Sequence, residues 1–357
     1  MAKRSAKRRR VNLALQGGGA HGAYAWGVLD SFLESGAFEI EGISGASAGS
    51  VNAVVYAYGN MVGGVDGARE LLAAFWKRLA GTRSGFADAH AFQIFKMMTG
   101  AVSPYQWNPF NWNPFRDALV ATVDFERLRR CKTTKLFLAA TNVETGKARI
   151  FTTPEVSADV VMASSCLPFL FQAVEIEGGY YWDGGYMGNP VLYPLFYDTA
   201  SRDVIIVHIN PIERPGVPRL AHEIENRLNE ITFNASLIKE LRAIAFVQKL
   251  VDEGWLKPDF RGKLKNVLMH SVRADKALLD LSVESKFSLD WSFLQDLHRR
   301  GSATGHEWTN AAYVTVSNVW NEMDALPLAD DHCGKVGKAA RFNHMEGNRA
   351  IFDCVAR

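Results

Sequence analysis

The sequence predicts an α/β protein built on a parallel sheet. Two observations predict it. Short apolar runs bounded by glycine alternate with segments whose apolar residues recur at helical spacing. Their order is strand, helix, strand, helix, which implies parallel strands joined by crossover helices. A third observation sets the scale. The 357 residues are 48% hydrophobic and 22% charged, an ordinary globular balance that suffices for one large domain or a domain with a smaller appendage.

Each element has its own signal. Val11–Leu15 is short and apolar and is closed by Gly17-Gly18-Gly19, as a buried parallel strand should be. Tyr24, Val28, Leu29, Phe32 and Leu33 then share a helical face, and Gly36 stands where that helix should stop. Phe38–Ile43 reads as a second strand. Val51, Val54, Val55 and Tyr58 form the face of a helix opening at Ala48, and a third helix runs from about Asp66 to Leu79. Residues 81–134 break the pattern. The near-repeat Trp107-Asn108-Pro109-Phe110 and Trp112-Asn113-Pro114-Phe115 holds two turn-favouring Asn-Pro steps, so an ordered but irregular aromatic-rich insertion is expected. Lys135–Ala140 and Ala148–Phe151 flank Glu144-Thr145-Gly146-Lys147 as strand, turn and strand. Val156–Ser164 is helical and stops before Pro168. Val174–Ile176 and Tyr180–Trp182 form a hairpin around Gly178-Gly179. Asp203–Ile209 is a strong buried strand and Lys265–Ser271 a late one. Helices are expected over Ala221–Val251 and from about Trp291 to Asn321, making residues 211–325 a mostly helical extension of the domain at 11–210. Residues 326–357 lose periodicity and read as a poorly ordered tail.

Net charge is only +2, so no nucleic-acid partner is expected of the protein as a whole. The charge is uneven, however. Residues 1–10 hold Lys3, Arg4, Lys7, Arg8, Arg9 and Arg10, and read as a disordered, solvated tail whose alternative use is attraction to an anionic surface, lipid before nucleic acid. Val11–Leu15 is too short for a signal-peptide core, and no apolar run approaches the roughly 18 residues of a membrane span. A cytoplasmic protein, with peripheral membrane contact as an option, is the expectation. Cys131, Cys166, Cys333 and Cys354 have no pair spacing and suggest neither a disulfide framework nor a metal knuckle. Oligomeric state has no signal.

Three motifs carry chemistry. Gly45-Ala46-Ser47-Ala48-Gly49 follows a strand and opens a helix, the context of a nucleophile elbow. A sharp turn there strains the central residue, demands small neighbours and presents the Ser47 hydroxyl at a helix N-terminus. Taken alone, the run equally suits a small-residue helix start with Ser44 or Ser47 as a cap. Gln16-Gly17-Gly18-Gly19-Ala20-His21-Gly22 lets backbone N–H groups converge on an anion, either a phosphate or a tetrahedral oxyanion. The lysine of a nucleotide P-loop is missing, and Glu39 and Glu41 keep a dinucleotide site open. Trp182-Asp183-Gly184-Gly185 follows a strand and by itself is an ordinary tight turn.

In this order the three motifs resemble the signatures of patatin-like phospholipases, and Ala163-Ser164-Ser165-Cys166-Leu167-Pro168 is similar to that family as well. The resemblance spans residues 11–210. It implies a three-layer α/β/α sandwich with a mostly parallel central sheet. It also implies a lipid acyl-ester hydrolase with a Ser47–Asp183 dyad and no catalytic histidine. Asp183 would take the Ser47 proton directly, and Gly17, Gly18, Gly19 and Ala20 would form the oxyanion hole. Gly22, Gly45, Gly49, Gly184 and Gly185 would support the turns. No metal or organic cofactor is implied. The family carries Arg or Lys where this chain has His21, and a histidine supplies that cation only when protonated. His208, at the end of the Asp203–Ile209 strand, follows Ser47 and Asp183 in triad order and is the alternative base.

A lipid substrate needs apolar walls. Phe92, Phe95, Met97, Met98, Trp107, Phe110, Trp112 and Phe115 would line a channel or dip into a membrane interface, or else pack the insertion onto the domain. Two other functions fit the same residues: an acyltransferase using the acyl-Ser47, and an inactive membrane-binding scaffold. A nucleotide-binding protein built on Gly17–Gly22 is the third.

Overall fold

Val11, Leu13, Ala14 and Leu15 are all buried. A strand is apolar on both sides only when both faces are covered, and this one lies inside a sheet. The computed structural model describes residues 8–82, 102–260, 263–309, 313–317, 333, 338–346 and 349–356. It divides into two units, residues 1–306 and 307–357.

In the first unit eight strands form one sheet: β1 (Arg9–Leu15), β2 (Phe38–Gly45), β3 (Lys135–Asn142), β4 (Ala148–Thr152), β5 (Val174–Ile176), β6 (Gly179–Asp183), β7 (Asp203–His208) and β8 (Leu268–Arg273). Their order is β5-β6-β3-β2-β1-β7-β8, with β4 also paired to β3. The run β3-β2-β1-β7-β8 is parallel, whereas β4, β5 and β6 join antiparallel. Helices α1 (Gly22–Ser35) and α2 (Ala48–Ala80) pack on β1–β3 and β7. Helix α3 (Ala158–Ser164) packs on β3 and β6. On the other face, Ala14, Phe137, Val204 and Ile206 meet Leu192, Leu195 and Leu237, the last from α4 (Ala221–Asp252). Alternate strand residues point to opposite faces, so the result is three layers, α/β/α, as the sequence predicts. Among the described residues no helix is long and apolar enough to cross a membrane.

Local signals explain the helix ends. Gly36 caps α1 in the left-handed conformation (φ 62°). The two helices expected over 48–79 are present and meet at a kink at Gly64 (φ 63°, ψ −148°), a conformation that favours glycine; the pair is numbered together as α2. The described part of the insertion holds three short helices, Pro104–Trp107, Pro114–Val120 and Phe125–Leu128. Asn108-Pro109 is a turn, as expected, whereas Ser103-Pro104 and Asn113-Pro114 become helix starts: Asn113 accepts from Phe115 N–H at 3.1 Å, and Pro104 and Pro114 sit in first turns. Phe92, Phe95, Met97 and Met98 lie outside the described residues.

Four expectations are corrected. Arg9 and Arg10 are strand residues of β1 and not tail. Arg9 pairs with Asp203 of β7 at 2.8 Å and Arg10 with Glu39 of β2 at 3.2 Å, so neighbouring carboxylates hold them. Helix α5 (Trp291–Thr309) ends well before Asn321. In the second unit, β9 (Tyr313–Ser317), β10 (Lys338–Glu346) and β11 (Arg349–Ala356) form an antiparallel sheet in the order β10-β11-β9. The region read as a poorly ordered tail therefore holds paired strands. Cys333 and Cys354 form a disulfide, so the cysteine reading fails as well: the partners are 21 positions apart, and the backbone closes the gap.

Candidate active site

The sheet register brings two motifs together. On β3, Leu138 pairs with Gly45 of β2 along one edge and Phe151 of β4 along the other. Ala140 pairs with Asp183 of β6 along one edge and Arg149 of β4 along the other. Since β4 takes one edge throughout, β2 and β6 share the opposite edge. They run toward each other and stop two β3 residues apart. Ser47, two residues past Gly45, thereby reaches Asp183, and its side chain hydrogen-bonds the carboxylate.

Ser47 has φ 52° and ψ −126°, a conformation rare for any residue with a side chain. Its N–H donates to the Ser164 carbonyl at 3.0 Å and to the Ser164 hydroxyl at 3.1 Å. Ser164 belongs to the Ala163–Pro168 segment, whose role was not legible from its sequence. The small neighbours are steric requirements. A Cβ on Gly17 would lie 2.5 Å from Ser47 Cβ, one on Gly45 would lie 2.7 Å from the Gly49 carbonyl carbon, and one on Gly49 would overlap the Leu15 carbonyl. The helix-cap alternative does not hold: the Ser47 side chain caps no N–H of α2, and the Ser44 hydroxyl donates to the Val191 carbonyl.

Asp183 ends β6 fully buried. Burial disfavours its charged form and pushes its pKa up from the ordinary carboxylate range to about 6, against hydrogen bonds from Gly185 N–H (2.7 Å) and Ser47. Its backbone is pinned by its own N–H to the Cys166 carbonyl (2.8 Å) and by the Thr141 hydroxyl to its carbonyl (2.8 Å). Gly184 packs on Ala139 so tightly that a Cβ would overlap the Ala139 carbonyl, and a Cβ on Gly185 would lie 2.8 Å from the Phe233 ring.

The glycine loop lies beside the elbow, and one of its predicted donors is lost. Gly17 N–H donates to Asn189 Oδ1 at 2.6 Å, so it is spent on holding the loop. Among the described residues, Gly18 and Gly19 N–H have no protein acceptor. Gly19 (φ 58°) and Ala20 form a short 3-10 turn with His21, and a Cβ on Gly22 would lie 2.6 Å from that of Ala48. The loop hangs in a buried carboxamide frame. Gln16 Oε1 accepts from Ile209 and Asn210 N–H at 2.9 and 3.0 Å, Gln16 Nε2 donates to Asn234 Oδ1 at 2.9 Å, and Asn210 Nδ2 donates to the Gly17 carbonyl at 2.9 Å.

Neither histidine supplies a cation or a base at the serine. His21 is buried beside Ser285 (2.8 Å); burial and the nearby Lys286 push its pKa down to about 3. His208 lies two strands from β2, its hydrogen bond goes to Ser271 (3.2 Å), and burial with Arg273 nearby pushes its pKa down to about 4. A cavity of about 410 Å³ lies next to Cys166, lined also by Phe110, Arg116, Met162, Phe171 and Gln172. Phe110 is 93% exposed and Trp112 65%, whereas Phe115 packs edge-on against Phe75. Ser164, Asn189, Asn210 and Lys286 have no motif of their own. Ser164, Asn189 and Asn210 are held by hydrogen bonds spanning 117 to 193 residues, and Lys286 reaches Asn210 across 76.

The fold is thus a three-layer α/β/α sandwich whose first crossover opens on a glycine loop and whose second opens on a strained serine turn facing a buried aspartate. The sequence profile of the patatin-like phospholipases matches residues 13–195, and the chain belongs to that family. The family is one of lipid hydrolases, which is the broad activity the match supports. No curated protein sequence matches the chain. Among solved structures, VipD from Legionella pneumophila is similar over 81% of this chain and 66% of its own, at 15% identity and a TM-score of 0.34. ExoU of the Pseudomonas aeruginosa type III secretion system, solved in complex with SpcU, is similar over 84% of this chain and 53% of its own, at 14% identity and a TM-score of 0.30. The chain thus spans about two thirds of VipD and half of ExoU.

Proposed function

We propose that the protein hydrolyses carboxylic esters of lipids, as a phospholipase A, lysophospholipase or lipase, through a Ser47–Asp183 dyad. The observation that carries this reading is a strained serine hydrogen-bonded to a buried carboxylate whose pKa is near 6. A desolvated carboxylate is basic enough to take the hydroxyl proton while staying ionised at neutral pH. Ser47 Oγ then attacks the ester carbonyl carbon as its proton passes to Asp183. The oxyanion forms against Gly18 and Gly19 N–H. The carbonyl re-forms, the C–O bond breaks, and Asp183 returns the proton to the departing alcohol. A water gives its proton to Asp183 and attacks the acyl carbon; the acyl–Oγ bond breaks and Asp183 passes the proton to Ser47 Oγ, releasing the acid. The exposed rings of Phe110 and Trp112 and the basic N-terminal residues would contact the lipid surface.

A fluorophosphonate probe tests the reading. Wild type should be labelled at Ser47, Ser47→Ala not at all, and Asp183→Asn far more slowly. An unlabelled wild type, or full activity in Asp183→Asn, refutes the dyad. Membrane contact is tested by liposome sedimentation with and without residues 1–8, which precede strand β1; no binding in either case refutes it.

A further inference from the structure

We propose that Lys286 is a positioning residue for this reaction: through Asn210 its ammonium polarises the Gly17–Gly18 peptide and strengthens Gly18 N–H as an oxyanion donor. The inference rests on the Ser47–Asp183 reading. Lys286 lies in the 3-10 turn Glu284–Phe287, which packs directly on the glycine loop: a Cβ on Gly19 would overlap the Lys286 carbonyl. The residue is partly exposed, but its ammonium is enclosed. That ammonium donates to Asn210 Oδ1 at 2.8 Å and to Asn229 Oδ1 at 2.6 Å. Asn210 Nδ2 donates in turn to the Gly17 carbonyl at 2.9 Å, and Asn189 Nδ2 reaches the same oxygen at 3.4 Å.

The Gly17 carbonyl and the Gly18 N–H belong to one amide. Resonance across its C–N bond means that charge drawn toward the oxygen makes the N–H a stronger donor. A carboxamide carries the effect because its oxygen accepts from the cation while its amino group donates onward. The cation is also held on its other side, where Lys286 Nζ lies 5.5 Å from the centre of the Phe233 ring, the ring that packs on Gly185.

Among the described residues, the basic groups named with this site are neutral or paired. His21 is kept neutral, and Arg214 and Arg227 are both committed to Glu230. Glu230 is the acid that favours charged Lys286, while burial opposes it and pushes the lysine down to about 8. Asp280 bears on His21 and is paired with Arg300. The relay therefore loses its charge just above neutral pH.

The test uses the full chain, p-nitrophenyl butyrate as substrate and fluorophosphonate titration to count active sites. Per labelled site, wild-type kcat should fall as pH rises through about 8. Lys286→Met should lower kcat about 10- to 100-fold with KM changed less than about threefold, a weaker effect than outright loss of an oxyanion donor. It should also abolish the alkaline fall. Asn210→Ala should reproduce both effects, and the double variant should add little to either. A Lys286 that only holds the fold would lower the fraction of labelled sites and the Tm, leaving kcat per site and the alkaline fall intact, and that result overturns the proposal. Should Lys286→Met not fold, Asn210→Ala and the wild-type pH profile decide it: an alkaline fall that survives Asn210→Ala refutes the relay. Failure of the dyad reading is separately visible, because wild-type Ser47 would then not label or Asp183→Asn would keep full activity.

Discussion

Asp183 couples chemistry to stability. Folded, it holds its proton up to about pH 6, while the unfolded chain releases it near pH 4. Stability therefore falls as pH rises from about 4 through 6, and above that range the ionised group costs the fold on the order of 3 kcal/mol. On the proposed dyad, activity runs the other way, since only the carboxylate would take the Ser47 proton. We expect kcat/KM to rise with pH through about 6. We also expect Asp183→Asn, which keeps the shape without the charge, to melt a few degrees above wild type at pH 7.5, an advantage that fades by pH 4. Calorimetry at the two pH values checks this. Equal melting points at pH 7.5 would mean that the carboxylate is not desolvated. Gly17→Ala places a Cβ against Ser47 and should cut labelling by about a hundredfold, a loss comparable to removing an oxyanion donor.

Among the elements, helix α2 shows two glycines with different duties. A Cβ on Gly64 meets open space, so Gly64→Ala meets only the unfavourable backbone conformation, about 1–3 kcal/mol, with activity retained. A Cβ on Gly49 meets the Leu15 carbonyl on the neighbouring strand. Gly49→Ala must push α2 away from β1, and we expect loss of both activity and soluble yield. Denaturant melts of the two variants, read beside fluorophosphonate labelling, separate these outcomes. The same helix held the clearest sequence signal, because steric demands at a turn must be met by neighbouring small residues and so leave a contiguous motif. Asn113 and the prolines after it were legible as turn formers but not as helix starts, since both uses draw on the same residue types.

For the molecule as a whole, legibility divides by sequence distance. Ser47 and Asp183 could be picked out of the sequence because each sits in its own glycine turn. Asn189, Asn210 and Lys286 could not, because each is a lone polar residue whose partner lies 76 to 193 positions away. The C-terminal sheet was missed for another reason. Val314, Thr315 and Val316 are β-branched, a strand signal, but they follow the strong periodicity of Trp291–Thr309 and were absorbed into it. Its disulfide makes a distinct prediction. Cys354→Ser should destabilise the second unit by about 2–4 kcal/mol. Hydrogen exchange should show faster exchange at 338–346 and 349–356, while Ser47 labels as before. Unchanged exchange there would mean that the bridge contributes nothing.

Strand β3 acts as a ruler on which two carriages are parked. The distance between Ser47 and Asp183 is counted out in backbone hydrogen bonds from Leu138 to Ala140, not in side-chain packing. Surface residues and even most core residues can then drift over generations without moving the pair. A single residue inserted within β6 between Tyr181 and Asp183 cannot be tolerated in this way, because it would turn the aspartate to the opposite face of the sheet. Natural variants of this chain should accordingly differ freely in composition around β5 and β6 and almost never in the length of β6.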